Sequence, residues 1–177
     1  MHILVICGST RRGRQTPLVS EYLFKKLQEY RSVTAEYFDL KYSSIPFLEE
    51  RLKYLKNPPE SVADFSRRVR RAETLLIVTP EYNGGFPGVL KNALDYLTDE
   101  YAGKSAGIAT VSAGRGGKSS SESLATQLSR LDAKVISRQL HITNVMEAFT
   151  KEGEVRDTGL QDEINEFIIK LAGIKGD

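Results

Sequence analysis

The run Gly8-Ser9-Thr10-Arg11-Arg12-Gly13-Arg14-Gln15-Thr16-Pro17 has the chemistry of a phosphate cradle. Its glycines permit tight turning, and hydroxyls stand at Ser9, Thr10 and Thr16. Guanidinium groups at Arg11, Arg12 and Arg14 can grip phosphate oxygens in pairs. The run ends where Thr16 and Pro17 read as the N-cap and first residue of a helix. Free backbone N–H groups and the positive end of a helix dipole favour an anion there. Gly8 and Gly13 have the spacing of a nucleoside-triphosphate loop, but Arg14 and Gln15 stand where that loop needs Lys and Ser or Thr. The run also lacks G-x-G-x-x-G, the dinucleotide fingerprint. A monophosphate ligand remains.

Two more loops are unusual. Pro80-Glu81-Tyr82-Asn83-Gly84-Gly85-Phe86-Pro87-Gly88 is a fixed, glycine-rich path along which a flat ring can approach the backbone. Its amides and Asn83 can hydrogen-bond the polar edge of a ring, and Tyr82 and Phe86 can stack on its face. Taken alone, it is equally consistent with an ordinary strand-to-helix turn. Ser112-Ala113-Gly114-Arg115-Gly116-Gly117-Lys118 again allows close approach, and Arg115 or Lys118 could meet a second anion.

The elements around these loops explain why they should converge. Residues 2–7 and 74–79 are continuous apolar runs, as expected of strands buried on both faces. Residues 33–38 alternate and read as a strand nearer a sheet edge, residues 105–112 as a strand of small residues, and residues 134–140 as a fifth strand. Helical spacing joins Val19, Tyr22, Leu23 and Leu27; Val62, Phe65, Val69 and Ala72; and Leu90, Ala93, Leu94 and Leu97. A capping-box pattern at Ser119 and Glu122 opens a helix carrying Leu124, Leu128 and Leu131. A last helix uses Leu160, Ile164, Phe167, Ile168 and Leu171 and stops at Gly173. Residues 39–60 form a long segment with a short helix expected near Leu48–Leu55, and residues 141–157 read as irregular. Alternating strands and helices give an α/β fold, a parallel sheet of order 2-1-3-4-5 with helices on both faces, in one domain. In that order, ligands bind beyond the carboxyl ends of the strands at the switch point, where the three loops lie.

Bulk properties narrow the partners. The 177 residues carry 25 basic and 23 acidic groups, a balance that argues against nucleic acid or a membrane surface. No apolar run reaches the roughly eighteen residues of a membrane span. The opening residues lack a basic leader and cleavage site and read as a strand, not a signal peptide. A single cysteine, Cys7, sits in a strand and reads as an inert core thiol, with a cytoplasmic location following by default. Arg67, Arg68, Arg70 and Arg71 read as the solvated face of a helix. His2 and His141 flank strands and read as structural or solvated, and no metal-ligand cluster is visible.

The chain resembles the NADPH-dependent FMN reductase family, with its azoreductase-like and quinone or chromate reductase members. The resemblance rests on Gly8-Ser9-Thr10-Arg11, on Thr16, and on Pro80-Glu81-Tyr82-Asn83 continuing to Pro87-Gly88-Val89-Leu90-Lys91-Asn92-Ala93-Leu94-Asp95. It covers residues 1–172 and implies a flavodoxin-like three-layer sandwich. By that resemblance Ser9, Arg11 and Thr16 would hold the FMN phosphate. Pro80, Glu81, Tyr82, Asn83 and Gly84 would line the ring and ribityl chain, and Ser112 and Gly114 would complete the ring site. Many members have Ser-x-Asn at the start of the first helix, a pattern absent at Thr16-Pro17-Leu18, so the grip would lean on Arg11, Arg12 or Arg14. The family typically forms dimers or tetramers, and Tyr42 and Phe47 of the long segment would contribute to such an interface. NADPH or NADH would reduce the flavin, and a quinone, azo or nitro compound or metal oxyanion would reoxidise it. No dedicated acid, base or nucleophile is expected, because the cofactor carries the chemistry. Arg12, Arg14 and Arg115 are candidates for meeting a 2′-phosphate. An FMN electron carrier without its own turnover is the alternative, although such carriers are usually strongly acidic. A receiver-like domain would need clustered acids after the first strand, where Gly8 and Ser9 stand.

Overall fold

The computed structural model describes residues 1–114 and 116–173. Six strands, β1 (His2–Cys7), β2 (Thr34–Asp39), β3 (Thr74–Pro80), β4 (Ser105–Val111), β5 (Lys134–Val135) and β6 (Leu140–Ile142), form one parallel sheet. Its order is β2-β1-β3-β4-β5, with β6 also paired to β4, as the alternating pattern predicts. The helices are α1 (Thr16–Gln28), α2 (Glu60–Arg71), α3 (Gly88–Asp95), α4 (Lys118–Arg130), α5 (Val145–Ala148) and α6 (Thr158–Ala172).

The core lies in two layers, one on each side of the sheet. Leu4, Ile6, Leu75, Ile77 and Ile108 face α2, α3 and α4. Ile3, Val5, Leu76, Val78 and Ala109 face α1 and α6. Successive strand residues point to opposite faces, so only an unbroken apolar run can serve both layers. Helix α2 shows which interaction holds a helix down. Its four arginines all form ion pairs: Arg67 with Glu60 and Asp64, Arg68 with Asp64 and Glu36, Arg70 with Glu100, and Arg71 with Glu36. The surface pairs of Arg67 contribute about 0–1 kcal/mol each. Burial of Val62, Phe65 and Val69 contributes about 1.5–3 kcal/mol per side chain and dominates.

Five local expectations are corrected. The fifth strand is not continuous over 134–140. Ser137 and Arg138 are exposed, Arg138 pairs with Glu166 and Gln139 accepts from Ser121 Oγ, so polar side chains interrupt the ladder. No helix forms near Leu48–Leu55, where only a 3-10 turn spans Leu52–Tyr54. The segment is held instead by side chains of α3: Asn92 accepts from Leu48 N at 2.9 Å and donates to the Pro46 carbonyl at 2.7 Å. Gln15, not Thr16, occupies the N-cap of α1, and no side chain caps that end. The N-cap of α4 is Gly117 in the left-handed region, φ 71°, so Ser119 falls inside the first turn and the capping box does not form. Residues 141–157 hold β6, α5 and a bridge between Phe149 and Val155.

Gly107 in β4 lets α6 lie against the sheet. A Cβ there would come within 2.6 Å of Leu171 Cδ1 and 3.1 Å of the Phe167 ring, both buried. Gly107→Val is expected to lower stability by about 1–3 kcal/mol through overpacking, measured by urea unfolding. A midpoint equal to wild type would show that α6 adjusts freely.

Candidate functional site

The carboxyl ends of β1, β3 and β4 open onto a cleft of about 280 Å³ lined by Arg11, Arg14, Gln15, Thr16, Pro80, Glu81, Tyr82, Val111, Ser112, Ala113, Gly114 and Val145. Larger depressions lie elsewhere, around Ser137, Arg138 and Glu166 and around His2, Glu36, Tyr37 and Arg71. In the first Arg138 pairs with Glu166, in the second Arg71 pairs with Glu36, and neither lies at the switch point.

The first wall is the loop after β1. Gly8 donates its N–H to the Val78 carbonyl at 2.8 Å, and a Cβ on Gly8 would meet Leu90 Cδ2 at 2.9 Å and Val78 O at 3.1 Å. The loop therefore leaves the sheet at a point where a side chain would crowd Leu90 and the Val78 carbonyl. Beyond it, among the described residues, no hydrogen bond runs from the backbone N–H of Ser9, Thr10, Arg11, Arg12 or Gly13. Ser9 is fully buried, and its Oγ has no hydrogen-bond partner. A buried hydroxyl left unpaired costs about 1–3 kcal/mol, so this atom points to an acceptor supplied from outside the chain. Thr16 is 2% exposed at the first turn of α1, with Pro17 following. Free N–H groups, the α1 dipole and Arg11 make this wall a fit for a phosphate.

Arg14 does not belong to that grip. Its NH1 and NH2 donate to the Asp39 carboxylate at 2.6 and 2.5 Å, and NH1 also donates to the Ser9 carbonyl. This corrects the expectation that Arg14 serves the phosphate or a 2′-phosphate. The other two arginines of the loop, Arg11 and Arg12, form no ion pair among the described residues. Arg115, the third candidate for a 2′-phosphate, lies outside the described residues.

The second wall is a hairpin turn. Tyr82 and Gly85 bridge through reciprocal backbone hydrogen bonds of 2.8 and 3.2 Å, with Asn83 at φ 52° and Gly84 at φ 82° between them. Two central residues with positive φ make a type I′ turn, for which Asn-Gly is the favoured pair. Asn83 and Gly84 are its exposed tip and do not line the cleft, whereas Pro80, Glu81 and Tyr82 do. Arg11 Cζ lies 5.6 Å from the Tyr82 ring centroid, a cation–π contact that joins the first two walls.

The third wall is fastened to the other two. Glu81 Oε2 accepts from Ser120 N at 3.1 Å, capping α4 where Gly117 has no side chain to do so. Ser120 Oγ donates to the Pro80 carbonyl at 3.0 Å. Lys91 pairs with Asp95 on α3, another local arrangement. Beneath the loop Thr110 Oγ1 donates to the Gly116 carbonyl, so its 2.8 Å contact with His141 assigns the donated proton to His141 Nδ1. His141 is thus a structural support of the loop. Ser112 N donates to Ile142 O at 2.9 Å, Ser112 O accepts from Val145 N at 3.0 Å, and Ser112 Oγ accepts from Gly114 N at 2.9 Å.

Seven expected residues thus line one cleft (Arg11, Thr16, Pro80, Glu81, Tyr82, Ser112 and Gly114). Ser9 lies buried in its first loop, and Asn83 and Gly84 stand apart at the turn tip. The reading missed Gln15, Val111, Ala113 and Val145 as lining residues and Asp39 as the partner of Arg14. The Asn83-Gly84 pair was a legible signal for the turn; nothing local marks Asp39 or Val145. Among the described residues no helix is long and apolar enough to cross a membrane, and no three His, Cys, Asp or Glu are grouped to hold a metal.

Known proteins share this sequence pattern and fold. The family model for NADPH-dependent FMN reductase matches residues 1–147. An NAD(P)H-dependent FMN reductase of Pseudomonas aeruginosa is 31% identical over 175 residues, 96% of this chain and 92% of that protein. A quinone reductase of Escherichia coli is 30% identical over 171 residues, 93% of this chain and 89% of that protein. Among solved structures, the flavoenzyme NAD(P)H:acceptor oxidoreductase of Paracoccus denitrificans superposes with TM-score 0.81 at 26% identity, covering 97% of each chain. A flavodoxin of Pseudomonas aeruginosa shares the fold, with TM-score 0.63 at 18% identity, covering 98% of this chain and 100% of that one. The cleft at the switch point of this fold and these likenesses together place the chain in the NADPH-dependent FMN reductase family, as a flavodoxin-like oxidoreductase using FMN with NAD(P)H as electron donor.

Proposed function

We propose that the cleft at the switch point is the FMN site and that the whole chain, residues 1–177, acts as one FMN-binding reductase domain. The observation that carries this is the buried, unpartnered Ser9 Oγ in a loop of free N–H groups leading into α1. Ser9, Thr16 and the backbone of residues 9–13 would hold the phosphate, with Arg11 closing over it from the Tyr82 side. Pro80, Glu81 and Tyr82 on one wall and Ser112 to Gly114 on another would flank the rest of the cofactor. Val111 and Val145 supply apolar lining that keeps water from that part of the cleft. Asn83 and Gly84 would act from the turn tip, presenting backbone to the outer edge. When bound, FMN supplies hydride acceptance from NAD(P)H and electron delivery to a second substrate. The protein's part is to hold the flat partners in register.

We assign a small oxidant as acceptor: a quinone, azo or nitro compound or metal oxyanion. The quinone reductase of Escherichia coli and an NADPH azoreductase of Bacillus, 27% identical over 94% of this chain and 90% of that protein, support this class. Homodimers or homotetramers are the working form in this reading. Its support is Tyr42 and Phe47, 76% and 91% exposed on the long segment after β2. A cytoplasmic location fits the lone, buried Cys7.

The apoprotein titrated with FMN should develop a bound-flavin spectrum that bleaches anaerobically with NADPH or NADH. Flavin that neither nucleotide bleaches would favour a carrier, and no bound flavin would sink the site assignment. Arg11→Ala should weaken FMN binding by about 1.5–3 kcal/mol, the contribution of charge-assisted hydrogen bonds. Ser9→Ala should behave in two opposite ways. Removing an unpartnered buried hydroxyl should leave the apoprotein as stable as wild type or up to about 1 kcal/mol more stable, while FMN affinity falls. Loss of apoprotein stability in urea would show that Ser9 already has a partner within the fold.

A further inference from the structure

We propose that Asp39, outside the cleft at the carboxyl end of β2, is the positioning residue of the phosphate cradle and acts through Arg14. This rests on the reading of the first loop as the FMN phosphate site.

The two side chains form a closed unit under the loop. Arg14 and Asp39 are 8% and 11% exposed and meet fork to fork, NH1 with Oδ1 at 2.6 Å and NH2 with Oδ2 at 2.5 Å. Such pairing fixes a plane as well as a distance. The carboxylate is itself anchored, because Oδ1 also accepts from Lys41 N at 3.0 Å. Asp39 sits opposite Cys7 in the β1–β2 register, level with the point where the loop departs. Arg14 NH1 reaches the Ser9 carbonyl and lies 3.7 Å from Cys7 Sγ.

The consequence for the loop follows from peptide geometry. In a trans peptide the carbonyl of one residue and the N–H of the next point in opposite directions. Holding the Ser9 carbonyl toward Arg14 therefore turns the Thr10 N–H away from Arg14. Within the loop, the remaining hydrogen bonds are Arg14 N to Arg11 O at 3.3 Å and Gln15 Nε2 to Gly13 O at 3.2 Å. Gly13, at φ 68°, adds freedom and not stiffness. The Asp39–Arg14 unit is thus the fixed strut of a loop whose donors would otherwise have to be ordered by the ligand. It also neutralises Arg14, leaving Arg11 as the cation of the cleft.

The test compares FMN with riboflavin, which lacks the phosphate, by fluorescence titration of apoprotein. Asp39→Asn should weaken FMN by about tenfold and riboflavin by less than about twofold, since preorganisation is lost only where the phosphate binds. Arg14→Gln should do the same, and the double variant should lose no more than either single one. Should Asp39→Asn strand the buried guanidinium and unfold, the double variant, which removes that charge, carries the same expectation. Equal weakening of both ligands would overturn the proposal by revealing general damage. Tighter FMN binding by Asp39→Asn would overturn it by making the released Arg14 a phosphate ligand. Wild-type protein with no preference for FMN over riboflavin would overturn both this inference and the phosphate site. A preference for FMN over riboflavin that is undiminished in Asp39→Asn would overturn this inference alone.

Discussion

Strand β1 is hydrogen-bonded to β2 on one side and β3 on the other, and Ile3 to Cys7 are fully buried between two helical layers. A buried backbone must satisfy its polar groups, and the parallel ladder is the means available here. Each strand must then be crossed by a helix before the next begins. The crossover after β1 departs on the α1 side, while those serving β3 and β4 lie on the α3 and α4 side. Loops leaving in different directions from adjacent strands cannot close over the sheet end, so a cleft opens there. Gly8 makes that exit sharp because neighbouring β3 and α3 would crowd a Cβ there.

Charge in the molecule is arranged so that Arg11 is the cleft-lining arginine without an ion pair among the described residues, in a chain of nearly balanced charge. The arginines of α2 are paired with Glu60 and Asp64 on their own helix, Glu36 on β2 and the buried Glu100. Arg14 is neutralised by Asp39 below the loop. Burial raises the Cys7 thiol above its ordinary range, and Tyr37, hydrogen-bonded to Ser20 Oγ at 2.9 Å, is raised likewise, chiefly by burial. The polar pocket beneath the loop is therefore an uncharged surrounding for one tight ion pair. In the proposed site a ligand phosphate would meet the α1 dipole, open N–H groups and Arg11, a set suited to one dianionic group.

The three walls are mutually braced. Arg11 reaches Tyr82, Glu81 caps α4, Ser120 holds the Pro80 carbonyl, and the Thr110–His141 pair props the third loop. Residues that look chemically active in isolation, Glu81 and His141 among them, spend their hydrogen bonds on architecture. This suits chemistry carried by a cofactor, for which the protein's task is rigid placement.

The periodicity of the sequence already determines the order of elements and the two-sided burial of β1 and β3, because a continuous apolar run of strand length serves a sheet with helices on both faces. It also marks the loops that line the switch-point cleft: glycine density and hydroxyl and guanidinium groups are local properties, and the switch-point rule joins them. Side-chain partnership across distant elements was beyond its reach. Whether an arginine of the first loop faces the ligand or a carboxylate depends on where β2 ends relative to β1, and register sets that only once the sheet forms. The cap of α4 was misplaced for the same reason, since its acceptor comes from a different loop, at Glu81. The break between β5 and β6 likewise depends on what α4 and α6 offer to Gln139 and Arg138. Sequence patterns follow the surface a residue must bury, whereas a charged or polar group takes its partner from whatever the folded chain brings within a few ångströms.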